Sequence, residues 1–515
     1  MLNNPEFIRN VRAQLRPGKA VTTLVIAAVL ELVAGFGLLH ITAPATGPHG
    51  WGFMLLRGLF WLQALILAAG GGIACVNAIY KEKDQNTFDY QRVTRLSPLE
   101  LALGKLFGAP VYMYFLCLCF TPLLIFAAIR GHQSFGFVLA AYAVLVIGSI
   151  LVHAFALLIS LLTVRGSHTT AIIFILVALW LFSNVFTVTS RYLYLDALSP
   201  FYSSEVAVQT IWSSPAAEDI DDLLVLPGTR QLDAPPATDR LFGYRVLHLP
   251  VLVIIDLLLV GWLLLALARN IKRDPNQYEL YSPLQTCALA VFINFVLLAF
   301  VNWHANFIDV QAALVNINIL VLSALGLAQL RNRDRMRRIL RAQGQTAISW
   351  IDLTWPTPFL FVTSLTACLM IFAGATYTRN PLAEWSPGFA IFRLLFVMVW
   401  LLRDMQFLQW MMLRRGKRPL VIGVLYLSVF YACVWIVLSS FGFFRDVDRM
   451  PFTAFFLPTP MYFLDHPAWV LRPAIWGSAF VAQWVLLALL IYAQRETILE
   501  LAQPPSPEPT RAAAV

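Results

Sequence analysis

The sequence contains little charge for its length. Asp, Glu, Lys and Arg make up only 13% of its 515 residues, whereas soluble domains carry about 25%. Apolar residues make up 59% of the chain, and its mean hydropathy is +0.71. This composition excludes an ordinary soluble domain and predicts a membrane protein.

Cysteine is scarce, and every cysteine falls inside an apolar run. This placement and the spacing exclude a disulfide scaffold and a metal site, and they predict small buried side chains. The cysteines are Cys75, Cys117, Cys119, Cys287, Cys368 and Cys433.

Several catalytic signatures are missing from the sequence. No Gly-x-x-x-x-Gly-Lys-Ser/Thr occurs, and Gly104-Lys105 is followed by Leu106, so the chain should not hydrolyse ATP by itself. No His-x-x-x-His pair occurs, and residues 41–51 contain no acidic side chain with which a polyprenyl-sugar transferase would hold a metal. We therefore expect no catalytic residue, no metal and no cofactor bound by this chain.

Long apolar runs recur along the whole sequence, each long enough to cross a bilayer core of about 30 Å as a helix. They predict an all-α polytopic membrane protein of about twelve transmembrane helices. The predicted spans are 20–40, 52–78, 106–128, 137–163, 169–188, 248–268, 284–301, 308–330, 359–376, 389–410, 419–440 and 473–493.

The basic residues predict the orientation of these spans. Most Lys and Arg fall in segments that are cytoplasmic if the N-terminus is inside, so both ends should be cytoplasmic. The formal net charge of +9 is then a topology signal, and no nucleic-acid partner is expected. We also expect no cleaved signal peptide, and a location in the plasma membrane, as in the inner membrane of a bacterium.

A charged segment separates the second and third spans. It runs Lys81-Glu82-Lys83-Asp84-Gln85-Asn86-Thr87-Phe88-Asp89, followed by Leu96-Ser97-Pro98-Leu99-Glu100 and Gly104-Lys105. The segment resembles the cytoplasmic loop between spans two and three of ATP-binding-cassette (ABC) type-2 permeases. Asn86 stands where that family has Gly, and Arg95 where it has Pro. The positions in register with the family pattern are Glu82, Asp84, Thr87, Asp89, Thr94, Leu96, Ser97, Pro98, Gly104, Lys105 and Leu106.

The resemblance implies the permease subunit of an exporter, which works with separate nucleotide-binding ATPase subunits. Two such subunits would carry ATP and Mg, and an accessory export protein is a further possible partner. The lipid bilayer is the remaining partner. The residues that would transmit motion from the ATPase are Glu82, Asp84, Thr87, Phe88, Asp89, Arg92, Ser97 and Pro98. Charges would orient the docking, and Phe88 would fill a pocket on the partner.

The pattern of apolar and basic residues in 1–19 predicts an amphipathic helix at the membrane surface. Asn4 can cap it, Pro5 suits its first position, and Pro17-Gly18 ends it. Its apolar side chains share one face beside an arginine-rich face, as in helices that lie on the cytoplasmic leaflet. The same features are similar to the connecting helix of type-2 permeases.

Short repeated segments predict an internal duplication with a period of about 250–260 residues. Leu162–Gly166 matches Met412–Gly416, and Leu198–Tyr202 matches Leu457–Met461. In the second half, Arg331–Pro358 takes the position of the charged loop but carries six arginines. The predicted organisation is a first six-span half at 20–273 with an outer loop at 189–247, a second half at 284–495 with an outer loop at 441–472, and a largely disordered cytoplasmic tail at 496–515.

Polar side chains inside spans are candidates for a substrate pathway, because each costs free energy when it faces lipid. Glu31 and Arg57 are predicted to pair across the first hairpin. The alternative to a pathway role is a satisfied structural role for each residue. The candidates are Glu31, Arg57, His153, Asp256 and Asn294.

Two other functions remain open at this point. A twelve-span secondary transporter driven by an ion gradient also has two six-span halves, but it usually joins them by a longer linker than residues 269–283. A membrane-embedded transferase is the third possibility. The sequence does not identify the substrate.

Overall fold

The computed structural model is almost entirely helical in the part of the chain that it describes. The exception is an antiparallel ribbon, β1 (Thr238–Leu241) and β2 (Tyr244–Leu247), in which Thr238 lies opposite Leu247. The structure describes residues 4–131, 133, 135–162, 200–203, 238–241, 244–273, 278–299, 307–343, 387–414, 419–443, 450–457 and 473–502. The predicted spans 169–188 and 359–376 lie outside these residues, as does most of both outer loops and of the tail.

Six of the described helical segments are long and apolar enough to cross a membrane. They are Trp51–Asp84, Pro98–Cys119, Val138–Leu162, Val251–Asn270, Pro419–Ser440 and Ala474–Leu501. The chain is therefore a helical protein with several membrane-spanning segments, in agreement with the predicted class.

The chain forms two compact units, Met1–Leu280 and Tyr281–Val515. We call them unit 1 and unit 2. Their boundary falls within residues 274–283, where the sequence predicts the join between its two halves. The helices of unit 1 are α1 (Pro5–Gln14), α2 (Pro17–Leu65), a π-helical turn (Ile66–Gly71), α3 (Gly72–Asp84), α4 (Phe88–Arg92), α5 (Pro98–Gly108), α6 (Val111–Cys119), α7 (Thr121–Arg130), α8 (Phe135–Leu162), a 3-10 turn (Pro200–Tyr202) and α9 (His248–Asn270).

Helix α2 doubles back on itself. The Thr23 hydroxyl lies 3.0 Å from the Tyr112 hydroxyl, and the Gln63 side chain donates to the Cys117 carbonyl at 3.3 Å. In a straight helix, Thr23 and Gln63 would be about 60 Å apart, yet their partners are five residues apart in α6. The chain must therefore reverse direction within α2, so its two ends form the predicted hairpin of the first two spans.

The third predicted span is wrong as a single helix over 106–128, because the chain there forms three helices. Ala109 caps the end of α5, and the next residue, Pro110, caps the start of α6. Phe120 separates α6 from α7, and Pro122 occupies the first turn of α7. Proline has no N–H to donate, so it starts a helix more readily than it continues one.

Helix α8 is the centre of unit 1, with α3 and α9 packed along it. Lys83 donates from Nζ to the carbonyls of Ser160 at 2.8 Å and Leu161 at 2.7 Å. The hydroxyl of Ser160 donates to the Val76 carbonyl at 2.8 Å. The two Lys83 bonds satisfy carbonyls of the last turn of α8, and all three bonds join α3 to the end of α8.

Unit 2 has an aromatic core and a separate aliphatic cluster. Its helices are α10 (Pro283–Ala299), α11 (Phe307–Gln329), α12 (Arg333–Gln343), α13 (Pro387–Leu413), α14 (Pro419–Ser440), a 3-10 turn (Met450–Phe455) and α15 (Pro473–Ala502). The aromatic core consists of Phe396, Trp400, Ala454, Trp476 and Ala479. The aliphatic cluster, described below, consists of Met336, Leu340, Leu413, Ile498 and Leu501.

Candidate functional site

The N-terminal helix α1 is fixed to α5 by its polar face. The Asn4 side chain accepts from the Glu6 backbone N–H at 3.0 Å and donates to the Glu100 carbonyl at 2.6 Å. The Gln14 side chain donates to the Ala109 carbonyl at 2.9 Å. The cap at Asn4 and proline at the first helical position are confirmed. The sequence analysis did not predict the protein contact along the polar face.

Two glycines of α5 allow α1 to approach closely. A Cβ atom on Gly104 would lie 2.8 Å from both Asn4 Oδ1 and Glu6 Cβ, and one on Gly108 would lie 3.0 Å from Asn10 Cβ. Any larger side chain at Gly104 therefore displaces α1. Gly104 is one of the positions that match the permease pattern, and the structure gives a packing reason for it.

Four charged side chains from α1, α3 and α5 meet beneath this contact, and we call Glu6, Arg9, Glu82 and Lys105 the ion cluster. Lys105 Nζ lies 3.2 Å from Glu6 Oε1 and 2.5 Å from Glu82 Oε2. An Arg9 guanidinium nitrogen lies 2.7 Å from Glu6 and 2.6 Å from Glu82. Lys105 is only 1% exposed, so its charge depends on these carboxylates.

The ion cluster balances two cations against two carboxylates. Burial opposes the charge on Arg9, but the nearby Glu6 and Glu82 more than offset it and hold the pKa of Arg9 above its usual value. Glu6, Glu82 and Lys105 are at most 11% exposed, whereas Arg9 is 53% exposed. Removing one of the three buried members therefore leaves an uncompensated charge where little water reaches, which is costly. The cluster therefore links three helices that are distant in sequence.

Glu82 does not have the surface role that the sequence suggested. It is buried and also accepts a hydrogen bond from the Gln91 side chain at 2.7 Å. In this chain the charge of Glu82 is paired with Lys105 and Arg9, and its role in orienting a docking partner stays a prediction. A reversal of charge at Glu82 would disturb the ion cluster rather than report on docking.

Phe88 is likewise internal, since it is only 2% exposed. Arg92 covers the ring, with its guanidinium carbon 4.8 Å from the ring centre. Arg92 also pairs with Asp89 at 3.0 Å and donates to the Tyr278 hydroxyl at 2.7 Å. In this chain Phe88 therefore anchors the short helix α4, and its insertion into a pocket on a partner stays a prediction.

The two turns of this segment have clear local causes. Asn86 has a φ of 56°, the left-handed region that Asn tolerates better than most residues. It occupies the position at which type-2 permeases have Gly, so the substitution keeps the turn. The hydroxyl of Thr87 donates to the Glu82 carbonyl at 3.3 Å. Ser97 and Glu100 form a reciprocal capping box at the start of α5.

The outward face of the segment combines acidic and large apolar side chains. Tyr90 is 74% exposed and Val93 is 82% exposed, and the sequence analysis singled out neither of them. We call the exposed residues Asp84, Asp89, Tyr90, Val93 and Leu99 the loop surface. Of the other predicted coupling residues, Thr87, Ser97 and Pro98 are also exposed, and Arg92 is half-buried. Large exposed apolar side chains beside charges are typical of a protein contact site.

The predicted pair between Glu31 and Arg57 is not formed. The side chain of Glu31 lies in the same groove as Leu123, which belongs to the first turn of α7. Its Oε1 atom is shielded from solvent and has no hydrogen-bond partner among the described residues. Arg57 is exposed on the returning half of α2. The predicted hairpin is present, but its two charges do not meet.

His153 is a satisfied internal residue. Its Nε2 lies 2.7 Å from the Leu67 carbonyl in the π-helical turn, so that nitrogen is the donor. Its Nδ1 then accepts from the Tyr114 hydroxyl at 3.0 Å. A Cβ atom on Gly71 would lie 2.1 Å from His153 Nε2. Of the two roles considered from sequence, the structure supports the structural one.

Asp256 and Asn294 lie in different units. Asp256 is 0% exposed, and neither carboxylate oxygen has a partner among the described residues. An unpaired carboxyl group in a membrane span is costly and is therefore a functional candidate. Asn294 is buried and donates to the Ala290 carbonyl at 2.9 Å, which satisfies its amide nitrogen inside α10.

A polar network inside unit 2 was missed from the sequence. Arg403 contacts Asp404 at 2.6 Å, Gln483 at 2.7 Å and Tyr431 at 2.8 Å. The Tyr431 hydroxyl donates to Asp404 at 2.5 Å. Arg403 also lies 3.8 Å above the centre of the Trp400 ring. The adjacent Arg-Asp pair within an apolar run was the available signal.

Within the described ranges, no group of three or more His, Cys, Asp or Glu side chains could hold a metal ion. No family model, curated protein or solved structure matches this chain.

Proposed function

We propose that this chain is the permease subunit of an ABC transporter of the type-2 class, and that it exports its substrate. A separate pair of ATPase subunits, which carry ATP and Mg, drives it. In this proposal the chain has twelve spans in two six-span halves, and both termini and the loop surface face the cytoplasm.

The observation that carries the proposal is the construction of the charged loop. Tyr90 is exposed on the short helix α4, and Val93 is exposed directly after it. The buried side chain of Phe88 anchors this helix. The preceding helix, α3, continues into the membrane and is joined to α1 and α5 by Glu82 and Lys105. A partner that pushes on the loop surface would thus move three helices together. A plain connector would need neither the exposed apolar residues nor the internal anchor.

The resemblance supports the same proposal at single positions. Asn86 adopts the left-handed conformation that the family Gly would supply, and Gly104 has no space for a side chain. Ser97 begins α5 with a capping box. Each of these matching positions therefore has a structural role in a turn, a packing contact or a helix cap. A chance similarity of sequence would not require such roles.

Affinity purification of the whole chain from its native membrane tests the proposal. We expect a nucleotide-binding ATPase to co-purify with the wild type, and ATP to energise transport in vesicles. The double variant Tyr90→Ala with Val93→Ala should weaken that association by about tenfold or more, because exposed anchors at the centre of an interface contribute about 2 kcal/mol or more.

Phe135→Ala is the matched control, because Phe135 is 80% exposed but lies at the other end of unit 1, at the start of α8. Its association should equal that of the wild type. If no ATPase co-purifies and an ion gradient alone drives transport, the chain is instead a secondary transporter. If both variants bind the ATPase like the wild type, the loop surface is not the contact.

A further inference from the structure

The end of helix α9 is bonded to the charged loop of unit 1. Lys272 lies two residues after α9, and its Nζ donates to the Thr94 carbonyl at 2.8 Å. Arg92, in α4, donates to the Tyr278 hydroxyl at 2.7 Å. These two bonds join residues that are 178 and 186 positions apart in the sequence. They are therefore tertiary contacts, and they lie directly beside the exposed Tyr90 and Val93 of the loop surface in the sequence.

Tyr278 is in turn held to α9 through the next residue, Glu279. The Asn270 side chain donates to the Glu279 carbonyl at 3.0 Å and accepts from the Glu279 backbone N–H at 2.7 Å. The Glu279 carboxylate accepts from Arg269 at 2.8 Å and from Arg273 at 3.3 Å. Asn270 is fully buried, so its two bonds are shielded from competing water. A displacement of α4 therefore reaches the last turn of α9 through both connections.

The side chains that α9 buries are mostly apolar. They are Leu252, Ile255, Val260, Ala266 and Leu267, together with Asp256 and Asn270. Apolar packing is not directional, whereas Lys83 and Ser160 fix α3 to α8 by directional hydrogen bonds. This difference favours α9 over α3 as the helix that shifts along α8. Asp256, the functional candidate on this span, would move with α9.

We propose that a partner pressing on the loop surface moves α9, with Lys272 and Tyr278 as the positioning residues that transmit the displacement. The ion cluster connects the loop to α1 and α5, and these bonds add the last span of unit 1. This role rests on the proposed permease function, because the partner is the ATPase. The bonds themselves belong to unit 1, so their existence can be tested on the chain alone.

Hydrogen exchange of the purified full-length chain in micelles, followed by mass spectrometry, tests the connection. The double variant Lys272→Met with Tyr278→Phe removes both bonds and leaves every residue of the loop surface in place. Amides of residues 88–94 should exchange about tenfold faster than in the wild type, the effect of losing about 1.4 kcal/mol of hydrogen bonding. Unchanged exchange would show that α4 is not tied to α9 and would overturn the proposal.

Lys81→Met with Tyr492→Phe is the matched control, because it makes the same two chemical changes at exposed positions outside these contacts. Its exchange should equal that of the wild type. Lys272→Arg keeps a cationic donor near the Thr94 carbonyl, so this single variant should also exchange like the wild type. Accelerated exchange in the control would mean that the assay reports a general loss of stability, and the connection would then lose its support.

The same measurement on the ATPase complex purified from the native membrane tests the movement. Mg-ATP with vanadate, which arrests hydrolysis, should change the exchange of α9 peptides in the wild type and in the control. In the double variant the ATPase should stay associated, because the loop surface is intact, but the response of α9 should be lost. A response equal to that of the wild type would show that the bonds are only structural and would overturn the proposal. If no ATPase co-purifies, the permease function and the movement both fail, whereas the exchange of the chain alone still shows whether the bonds exist.

Discussion

Each unit holds a charged surface helix, but the interactions that attach this helix differ between the two units. In unit 1, α1 is held by the buried charges of the ion cluster and by glycines that allow close backbone contact. In unit 2, the arginine-rich α12 is held by Met336 and Leu340, which pack on Leu413, Ile498 and Leu501. Hydrogen bonds between the Gln409 amide and the backbone of Arg331, at 2.8 and 2.9 Å, fix the start of that helix.

This difference shows that the charge on the exposed face of a helix does not predict which residues attach the helix to the rest of the protein. α12 has the higher density of arginines, yet its apolar residues Met336 and Leu340 pack against the rest of unit 2. α1 was predicted to lie on the membrane surface, yet it docks on α5 through Glu6, Asn10 and Gln14. Attachment by a buried ion pair fails abruptly when one charge is removed, whereas attachment by packing weakens in proportion to the volume lost.

The largest expected effect is at Lys105. Lys105→Met leaves Glu6 and Glu82 close together and only partly neutralised, so it should lower the free energy of unfolding by about 3–5 kcal/mol. Denaturant titration of the purified chain in mixed micelles measures the loss. The double variant Lys105→Met with Glu82→Gln removes one charge of each sign and should recover much of it. Equal losses in the single and double variants would show that the ion cluster does not hold α1.

The matching change in unit 2 is Leu340→Ala. It removes a nearly buried side chain from the aliphatic cluster and should cost about 2–3 kcal/mol, at the low end for buried leucines because α12 lies at a surface. Protease cleavage within α12 should accelerate accordingly. Leu340→Met keeps the volume and should stay close to wild type. A loss as large after Leu340→Met would contradict attachment by packing.

Gly104→Ala tests the close approach in unit 1 without changing any charge. The added Cβ would overlap Asn4 and Glu6, and such overpacking costs about 1–3 kcal/mol. Thermal unfolding followed by size-exclusion chromatography measures the shift. Gly58→Ala is the control, because nothing lies within 4 Å of its Cβ position. Equal stability of the two variants would mean that α1 has room to move aside.

The smallest expected effect on stability is that of Arg338→Ala. Arg338 is exposed on α12, so its removal should change the free energy of unfolding by no more than about 0.5 kcal/mol. The same change should weaken binding of purified protein to anionic vesicles, because each arginine near such a surface contributes about 1 kcal/mol. Arg9→Ala, by contrast, should lower the free energy of unfolding of unit 1, because Arg9 belongs to the ion cluster.

The sequence predicted what depends on local patterns. The helical membrane class, the cap at Asn4 and the first hairpin follow from composition, capping and run length, and all are present. Pro110 and Pro122 indicate the breaks in the third span, but the prediction of that span relied on the length of the apolar run instead. Arg403 and Asp404 were likewise visible as an adjacent pair.

The ion cluster could not be predicted from local sequence patterns. Glu82 contacts Lys105 and Arg9 only after three helices have packed, and the spacing of these residues in the sequence does not indicate the contact. The same holds for Phe88, whose burial depends on Arg92 and on the fold of the loop around it. Local sequence gave these residues plausible surface roles, and tertiary packing placed them inside.

The short helix α7 has a consequence for the order in which the chain assembles during synthesis. Its ten residues span only about 15 Å, too little to cross a bilayer alone. Helix α7 packs on α2, which precedes it in the chain and is therefore synthesised first. A nascent chain would thus already present this packing surface when α7 leaves the ribosome, and α2 would act as the template for α7.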